Sequence, residues 1–481
     1  MSRTPAHAFL AVVVLGVLAA CATNPVTGER EFVLMSEGQE IAMGREADGQ
    51  IQAEMGVYDD PELQQYVSDI GLRLAALSER PGLPWKFTVV DQPAVNAFAL
   101  PGGFIYLTRG ILPFLDDEAE LVGVLGHEIG HVTARHSVRQ YSRSLGGQLL
   151  LGAAGAFVPA TRPFSGLSQQ ALGLVFLRYG REDELQSDSL GARYAAAGGW
   201  DPAGVPGMLG TLGRLAEASG DRKGVPNFLS THPEPLARVG EVTPQVEQLR
   251  AGRTGLVTDR EALLRRVDGL IYGDNPEQGV TRGSTFLHPP LRFRIDFPDQ
   301  WPVANSARQV VSQSPGGDAV MLLRQVDAPE GTPVRDVALT SMQNAGFQAG
   351  QGERTTIDGL DAYVGTYRGQ IEGLGDTAVR AAHILHGGDY YLVAGLVAPG
   401  NFQRVDATFL QSIRSFRRLS DAEAAEIRPQ RIDLYVVRSG DTWASIAERA
   451  GDAVSAATLA VMNHASPDSR PAVGARIKIV T

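Results

Sequence analysis

Cysteine is almost absent: the 481 residues contain one, at position 21. No intramolecular disulfide can form, and no metal site built from several thiolates is possible. Basic charge is also in deficit, with 43 Lys and Arg against 54 Asp and Glu and a formal net charge of −11. Nothing in the chain offers the basic stripe that neutralises phosphates, so nucleic acid is excluded as a partner. Membrane-spanning runs are lacking too. The run from Phe9 to Leu18 is too short for a mature spanning helix, and the Gly/Ala/Leu-rich stretch from Ser144 to Tyr179 is interrupted by Pro159 and Pro163. That stretch reads as a buried helix followed by a loop, with a membrane-touching or substrate-gating loop as the alternative.

What is present is a soluble globular balance, 43% hydrophobic and 20% charged. At roughly 150 residues per domain the length suggests about three domains. The start, MSRTPAHAFLAVVVLGVLAACATNP, has one arginine, a short apolar run and then Leu18-Ala19-Ala20-Cys21. The run has the length of a signal-peptide core. The small residues before Cys21 resemble a bacterial lipobox, in which the signal is cleaved and the cysteine carries the lipid; a plain secretory signal is the alternative. Ala22 in place of Asp after the cysteine implies, by resemblance to lipoprotein sorting, the outer membrane. Residues 1–20 are therefore expected to be a lipoprotein signal peptide, and the mature chain an outer-membrane lipoprotein facing the periplasm.

Along the chain, Ser36 to Gly56 looks helical, and Asp60 to Leu77 places Leu63, Tyr66, Val67, Ile70 and Leu74 at helical spacing behind Pro61. "WKFTVVD" reads as a strand and "NAFALPGGFIYLT" as a pair of strands around Pro101-Gly102-Gly103. Asp116 and Asp117 are cap candidates for the next helix, and a further helix is expected from Glu182 to Ala197. Residues 251–285 read as a linker. Alternating strands with helices at 333–345 and 402–416 make 286–420 a separate α+β domain without a catalytic constellation. A short, self-contained segment follows at 433–481.

The helix after Asp117 contains "LVGVLGHEIGHVTARH". His127 and His131 are four residues apart, so both imidazoles project from one face and can reach one ion at about 2.0–2.1 Å. Glu128 can hold a metal-activated water as general base, since zinc lowers that water's pKa toward about 7. Gly130 leaves room close to the helix backbone. A third ligand at the offset used by extended metzincins is excluded, because Ala134 and Ser137 stand there. His136 falls off the metal-binding face and reads as a surface residue or an outer partner of the site. "REDELQSDSLGARYAAAGG" offers Glu184 and Asp188 on one helical face, Glu184 to ligate and Asp188 to accept a histidine ring N–H. On spacing alone Glu182 and Asp183 rival Glu184, and acids favour any helix start. His232, in "STHPEPLARV", is either a turn residue or approaches the metal, polarising the substrate carbonyl or closing the open position; Arg238 orients that loop or stabilises an oxyanion.

The motifs "NAFALPGGFIYLTRGIL", "EAELVGVLGHEIGHVTARH", "EDELQSDSLGARY" and "STHPEPLAR", in this order, resemble the HtpX-like and CAAX-prenyl-protease-like family of gluzincin metallopeptidases, in its soluble BepA-like envelope branch. The resemblance runs from about Leu34 to Val242. It implies one Zn2+ per subunit held by His127, His131 and Glu184 of an ExxxD motif, with Asp188 as its partner. One departure is Ser187, where the family often has alanine. Asn96, Ala97, Phe98 and Ala99 are the expected edge strand on which an extended substrate adds a strand. Such pairing suits unfolded or misassembled envelope proteins as partners.

"YVVRSGDTWASIAERAG", "AATLAVMNHA" and "ARIKIV" read as β-α-α-β, with Asp441 as helix cap and Gly451 as stop. The segment resembles a LysM domain, a peptidoglycan-binding module, and departs where Trp443 replaces the usual leucine. The expected fold class is thus α+β and multidomain: a mainly helical peptidase domain (21–250) with a small sheet, a middle α+β domain, and a LysM-like module. The expected function is a zinc endopeptidase of envelope quality control. A cell-wall hydrolase and a chaperone-like binder with a latent site are the alternatives.

Overall fold

The computed structural model describes residues 21–142, 178–219, 227–371 and 375–481. The expected signal segment, and nearly all of the Gly/Ala/Leu-rich stretch expected as a buried helix and loop, lie outside the described residues. A short hairpin of β1 (Cys21–Thr23) and β2 (Arg30–Phe32) leads into α1 (Glu37–Met55), which opens on a reciprocal cap between Ser36 and Gln39. In α2 (Pro61–Ala75), capped by Asp60, the spacing buries Leu63, Val67, Ile70 and Leu74, while Tyr66 reaches Glu118 with its hydroxyl. Strands β3 (Lys86–Val90), β4 (Ala97–Leu100) and β5 (Phe104–Thr108) form a sheet in the order β3-β5-β4. β3 runs parallel to β5, and the hairpin closes with Leu100 opposite Phe104. Gly102 and Gly103, at φ 82° and 100°, supply the left-handed backbone of that turn.

The helix α3 (Glu118–Thr133) is capped by Asp117, which accepts the Glu120 N–H at 2.9 Å, and it is buried from Ala119 onward. Against it pack α4 (Arg181–Ala197) and α5 (Gly204–Ser219), followed by α6 (Asn227–Thr231) and α7 (Pro235–Arg250). The stretch expected as a linker contains α8 (Arg260–Val267) and β6 (Ile271–Tyr272). Leu263, Leu264 and Val267 of α8 join the same hydrophobic core as Leu121 and Leu125 of α3. Arg109, paired to Asp91 at 2.8 Å, donates to the carbonyls of Ile271 and Gly273 and pins β6 to that core.

Seven antiparallel strands between Val303 and Val397 form the sheet of the middle region. A helix at Phe402–Arg414 covers one face through Val405, Phe409 and Ile413, and a helix at Val334–Asn344 packs on the other beside Tyr363 and Tyr367. The C-terminal strand Gln430–Val436 pairs with the last strand, Arg476–Val480, and the helices Trp443–Arg449 and Ala456–Met462 lie between them in sequence. This is the expected β-α-α-β order. The cap differs: Thr442 accepts the Ser445 N–H, and Asp441 instead takes the Tyr435 hydroxyl and the Arg438 N–H. Thr442 sits directly before the first helical residue, where a side-chain oxygen reaches the third N–H.

The module has a small core around Trp443, Ile446, Leu459 and Ile477 but is not self-contained. Its first strand also pairs with β6, Arg431 opposite Ile271, and Ile432, Val461, Met462 and Val480 belong to the main core. His464 meets Glu120 at 3.0 Å, and the fully buried Lys478 donates to the Leu115 carbonyl at 2.5 Å. The module is thus seated against the start of α3. Burial pushes the Lys478 ammonium down to about 8, partly offset by Asp116 and Glu120. A cation whose folded pKa lies below its unfolded value costs stability at low pH and less as pH rises. Between pH 8 and 10 the thermal midpoint of the wild-type chain should therefore rise relative to Lys478→Met, by up to about 3 kcal/mol in stability. Parallel curves for the two proteins would show that Lys478 does not titrate in this interface.

Candidate metal centre

The site depends on how closely two helices approach. A Cβ placed on Gly126 of α3 would lie 2.9 Å from the Gly191 Cα of α4, and one on Gly191 would lie 2.9 Å from the His127 nitrogen. Gly130 would bring its Cβ to 3.0 Å from the Ser187 Cα. Backbones in contact leave the longer side chains on either side of the seam, His127 and His131 from α3 and Glu184 and Asp188 from α4, facing each other.

His127, His131, Glu184 and His232 each offer a ligand atom within 4.8 Å of the others, and all four are buried. The two Nε2 atoms of His127 and His131 are 3.0 Å apart. His232 Nδ1 stands 3.2 Å from His127 Nε2 and 3.0 Å from Glu184 Oε1. Glu184 oxygens lie 3.6 Å from His127 Nε2 and 3.4 Å from His131 Nε2. A tetrahedron with metal–ligand distances of about 2.0–2.1 Å has edges of about 3.3 Å, so the set fits one zinc-sized ion. His127 Nδ1 donates to Asp188 Oδ1 at 2.9 Å, which leaves the Nε2 lone pair free to point at the cluster.

Charge supports the same fit. Glu128, Glu184 and Asp188 are fully shielded carboxylates with one guanidinium among them, Arg238, which takes both Asp188 oxygens at 2.8 and 2.7 Å and pairs with Glu184. Counted as ionised, the three carboxylates against this one guanidinium leave a formal deficit of two positive charges, the charge of a divalent cation. Both carboxylate oxygens of Glu128 lack a hydrogen-bond partner among the described residues, and the nearest cation-capable atom is His232 Nε2 at 3.5 Å. Burial raises the Glu128 carboxyl, only partly offset by His232 and His127. Glu184 is also pushed up by burial, but His232, His131 and His127 outweigh this and hold it well below the usual carboxylate range.

The expected residues are sorted by these contacts. Of the three rival acids, Glu184 enters the cluster, Asp183 turns aside to Arg139, and Glu182 is exposed. His232 is in the cluster rather than on a surface turn, carried there by α6 and the bend at Pro233 before α7. Arg238 backs Asp188 and Glu184 and makes one longer contact to the Pro233 carbonyl at 3.4 Å. β4, with Ala97, Phe98 and Ala99, is at the edge of its sheet, and the Val95 carbonyl just before Asn96 accepts the Phe228 N–H of α6. Three contributors escaped the sequence reading. Tyr179 stacks on His131 with ring centroids 3.8 Å apart, Phe228 stacks on His232 at 4.4 Å, and Gln186 Oε1 accepts from His136 Nε2 at 2.8 Å. Gln186 lies inside the Glu184–Asp188 motif and Tyr179 just before its helix, and that position was their only signal.

Residues 61–245 match the model of Peptidase family M48, and residues 435–480 match that of the LysM domain. The chain is 30% identical over 269 residues to the beta-barrel assembly-enhancing protease of Yersinia pestis, covering 54% of each. It is 30% identical over 236 residues to the protein of that name in Escherichia coli K12, covering 47% of this chain and 48% of the other. It is 32% identical over 211 residues to the mitochondrial metalloendopeptidase OMA1 of Arabidopsis thaliana, covering 42% and 41%. The chain thus spans about half the length, or less, of these curated relatives.

Adding one methyl group at the seam tests the geometry. Gly126→Ala should lower stability by about 1–3 kcal/mol through overpacking and weaken metal uptake, because α4 must retreat with Glu184 and Asp188. Thermal melts and metal content of the purified variant measure both; wild-type values in each would show that the seam does not set the ligand spacing.

Proposed function

We propose that this chain, which carries a Peptidase family M48 domain and a LysM domain, is a zinc-dependent endopeptidase of the bacterial cell envelope. The observation that carries this reading is the convergence of His127, His131, Glu184 and His232 beside a Glu128 whose carboxylate oxygens have no hydrogen-bond partner among the described residues. His127, His131 and Glu184 hold the ion. When bound, zinc supplies Lewis acidity, polarising a carbonyl and lowering the pKa of a coordinated water toward about 7. Glu128 takes the proton of the attacking water and hands it to the leaving amine, a task suited to a carboxyl raised by burial. Asp188 keeps His127 in the ligating tautomer, and Arg238 keeps Asp188 and Glu184 charged and in place. Glu128→Gln should keep zinc and reduce casein cleavage by at least about 100-fold; retained proteolysis would refute the assignment of the base.

His232 fills a fourth position in this arrangement, so we read it as a closure that withdraws when substrate enters. His232→Ala should then raise turnover of an unfolded protein several-fold. A fall would assign His232 to polarising the substrate carbonyl, and no change would remove both roles.

β4 offers an edge for an extended substrate segment, recognised by backbone pairing more than by sequence. Together with relatives named for β-barrel assembly, this supports unfolded or misassembled envelope proteins as substrates. The LysM domain supports attachment to peptidoglycan, and the lipobox-like start supports a lipid on Cys21 and an outer-membrane position facing the periplasm. Among the described residues no helix is long and apolar enough to cross a membrane. Digesting casein beside purified sacculi separates this reading from a cell-wall hydrolase.

A further inference from the structure

The two ligand histidines are held in different ways. His127 leans on the Asp188 carboxylate, but among the described residues no carboxylate meets the outer nitrogen of His131. His131 Nδ1 instead lies 2.9 Å from Nδ1 of His136, a residue that is fully buried. We infer that His136, together with Gln186 and Ser187, is a positioning residue that fixes the proton of His131 on Nδ1 and so keeps its Nε2 lone pair free for the metal. The inference rests on the zinc reading above.

The argument is one of proton bookkeeping. Two ring nitrogens at 2.9 Å share one hydrogen, so one donates and the other accepts. At its other end, His136 Nε2 meets Gln186 Oε1 at 2.8 Å and lies 3.8 Å from Asp183 Oδ1. Both are acceptors, which places the proton of a neutral His136 on Nε2. Asp183 is itself paired with Arg139. His136 Nδ1 therefore presents a lone pair, with Ser187 Oγ at 3.3 Å as a second donor to it. His131 must then carry its proton on Nδ1, leaving the Nε2 lone pair toward Glu184 and His127. In the opposite tautomer an N–H would point into the ligand cluster. A neutral imidazole does here what Asp188 does for His127, without adding a fourth buried negative charge. Ser187, where the resembled family often has alanine, gains a purpose in this chain.

Zinc affinity of the full-length chain, measured by competition with a chelator, tests the inference without reading activity. His136→Leu removes the acceptor; His136→Asn restores one, because its Oδ1 takes the place of Nδ1. His136→Leu should bind zinc roughly 10–100-fold more weakly, and His136→Asn within about 3-fold of wild type, at equal metal-free melting temperatures. Gln186→Leu, at a half-buried position, should lose affinity about 3–10-fold by freeing the His136 tautomer. Equal losses in the Leu and Asn variants, or wild-type affinity in His136→Leu, would overturn the inference. Should His136→Leu not fold, unchanged affinity in Gln186→Leu overturns it. A wild-type chain that takes up no zinc sinks the peptidase reading and this inference with it, whereas variants that match a zinc-binding wild type sink this inference alone.

Discussion

Three carboxylates shut away from water beside a single guanidinium set the terms for this fold. Arg238 is the one guanidinium paired with Asp188 and Glu184 among the described residues, while Glu128 has His232 Nε2 at 3.5 Å. Charges in such a place persist only when paired and hydrogen-bonded, so each element around them has a narrow choice of position. α3 and α4 must touch along Gly126, Gly130, Ser187 and Gly191. α7 must return to aim Arg238 at α4 from the far side, and it starts at Glu234 in the left-handed region directly after the His232-Pro233 bend. The cluster of His127, His131, Glu184 and His232 and its counter-charge Arg238 are thus consequences of one helix seam and one returning helix.

Much of this was legible in the sequence, for a definite reason. Ligands that share a helix face are spaced by the period of the helix, which fixes His127 with His131 and Glu184 with Asp188 before any tertiary structure is known. Spacing could not choose among Glu182, Asp183 and Glu184, since all three sit in the first turn, and family resemblance made that choice. The reason for it is tertiary: one face of that turn meets the histidines, another meets Arg139, and the third meets solvent. Tyr179 and Phe228 were invisible because an aromatic that stacks on a ligating ring leaves the same trace in sequence as one that fills a core.

The C-terminal module shows the same limit at larger scale. Its β-α-α-β order follows from turn and cap signals within 50 residues, but its attachment does not. Lys478 and His464 carry no signal of their own in the sequence, yet they are contacts that seat the module on Leu115 and Glu120. Within the stretch expected as a linker, α8 buries Leu263, Leu264 and Val267 in a core shared with α3, more than a hundred residues earlier.

That attachment changes what a glycan-binding module can do for a peptidase. A module on a free tether raises local concentration and leaves orientation open. Here the first strand of the module extends onto β6, Arg109 pins β6 to the peptidase core, and Lys478 rests where α3 begins. Among the described residues, a paired strand, a buried arginine and a packed helix therefore link the module to the histidine cluster. A wall polymer held by the module would fix the direction of the cleavage site as well as its location. A protease restrained in that way meets the chains that pass a defined face of it, which is a form of selectivity that a backbone-reading edge strand does not supply by itself.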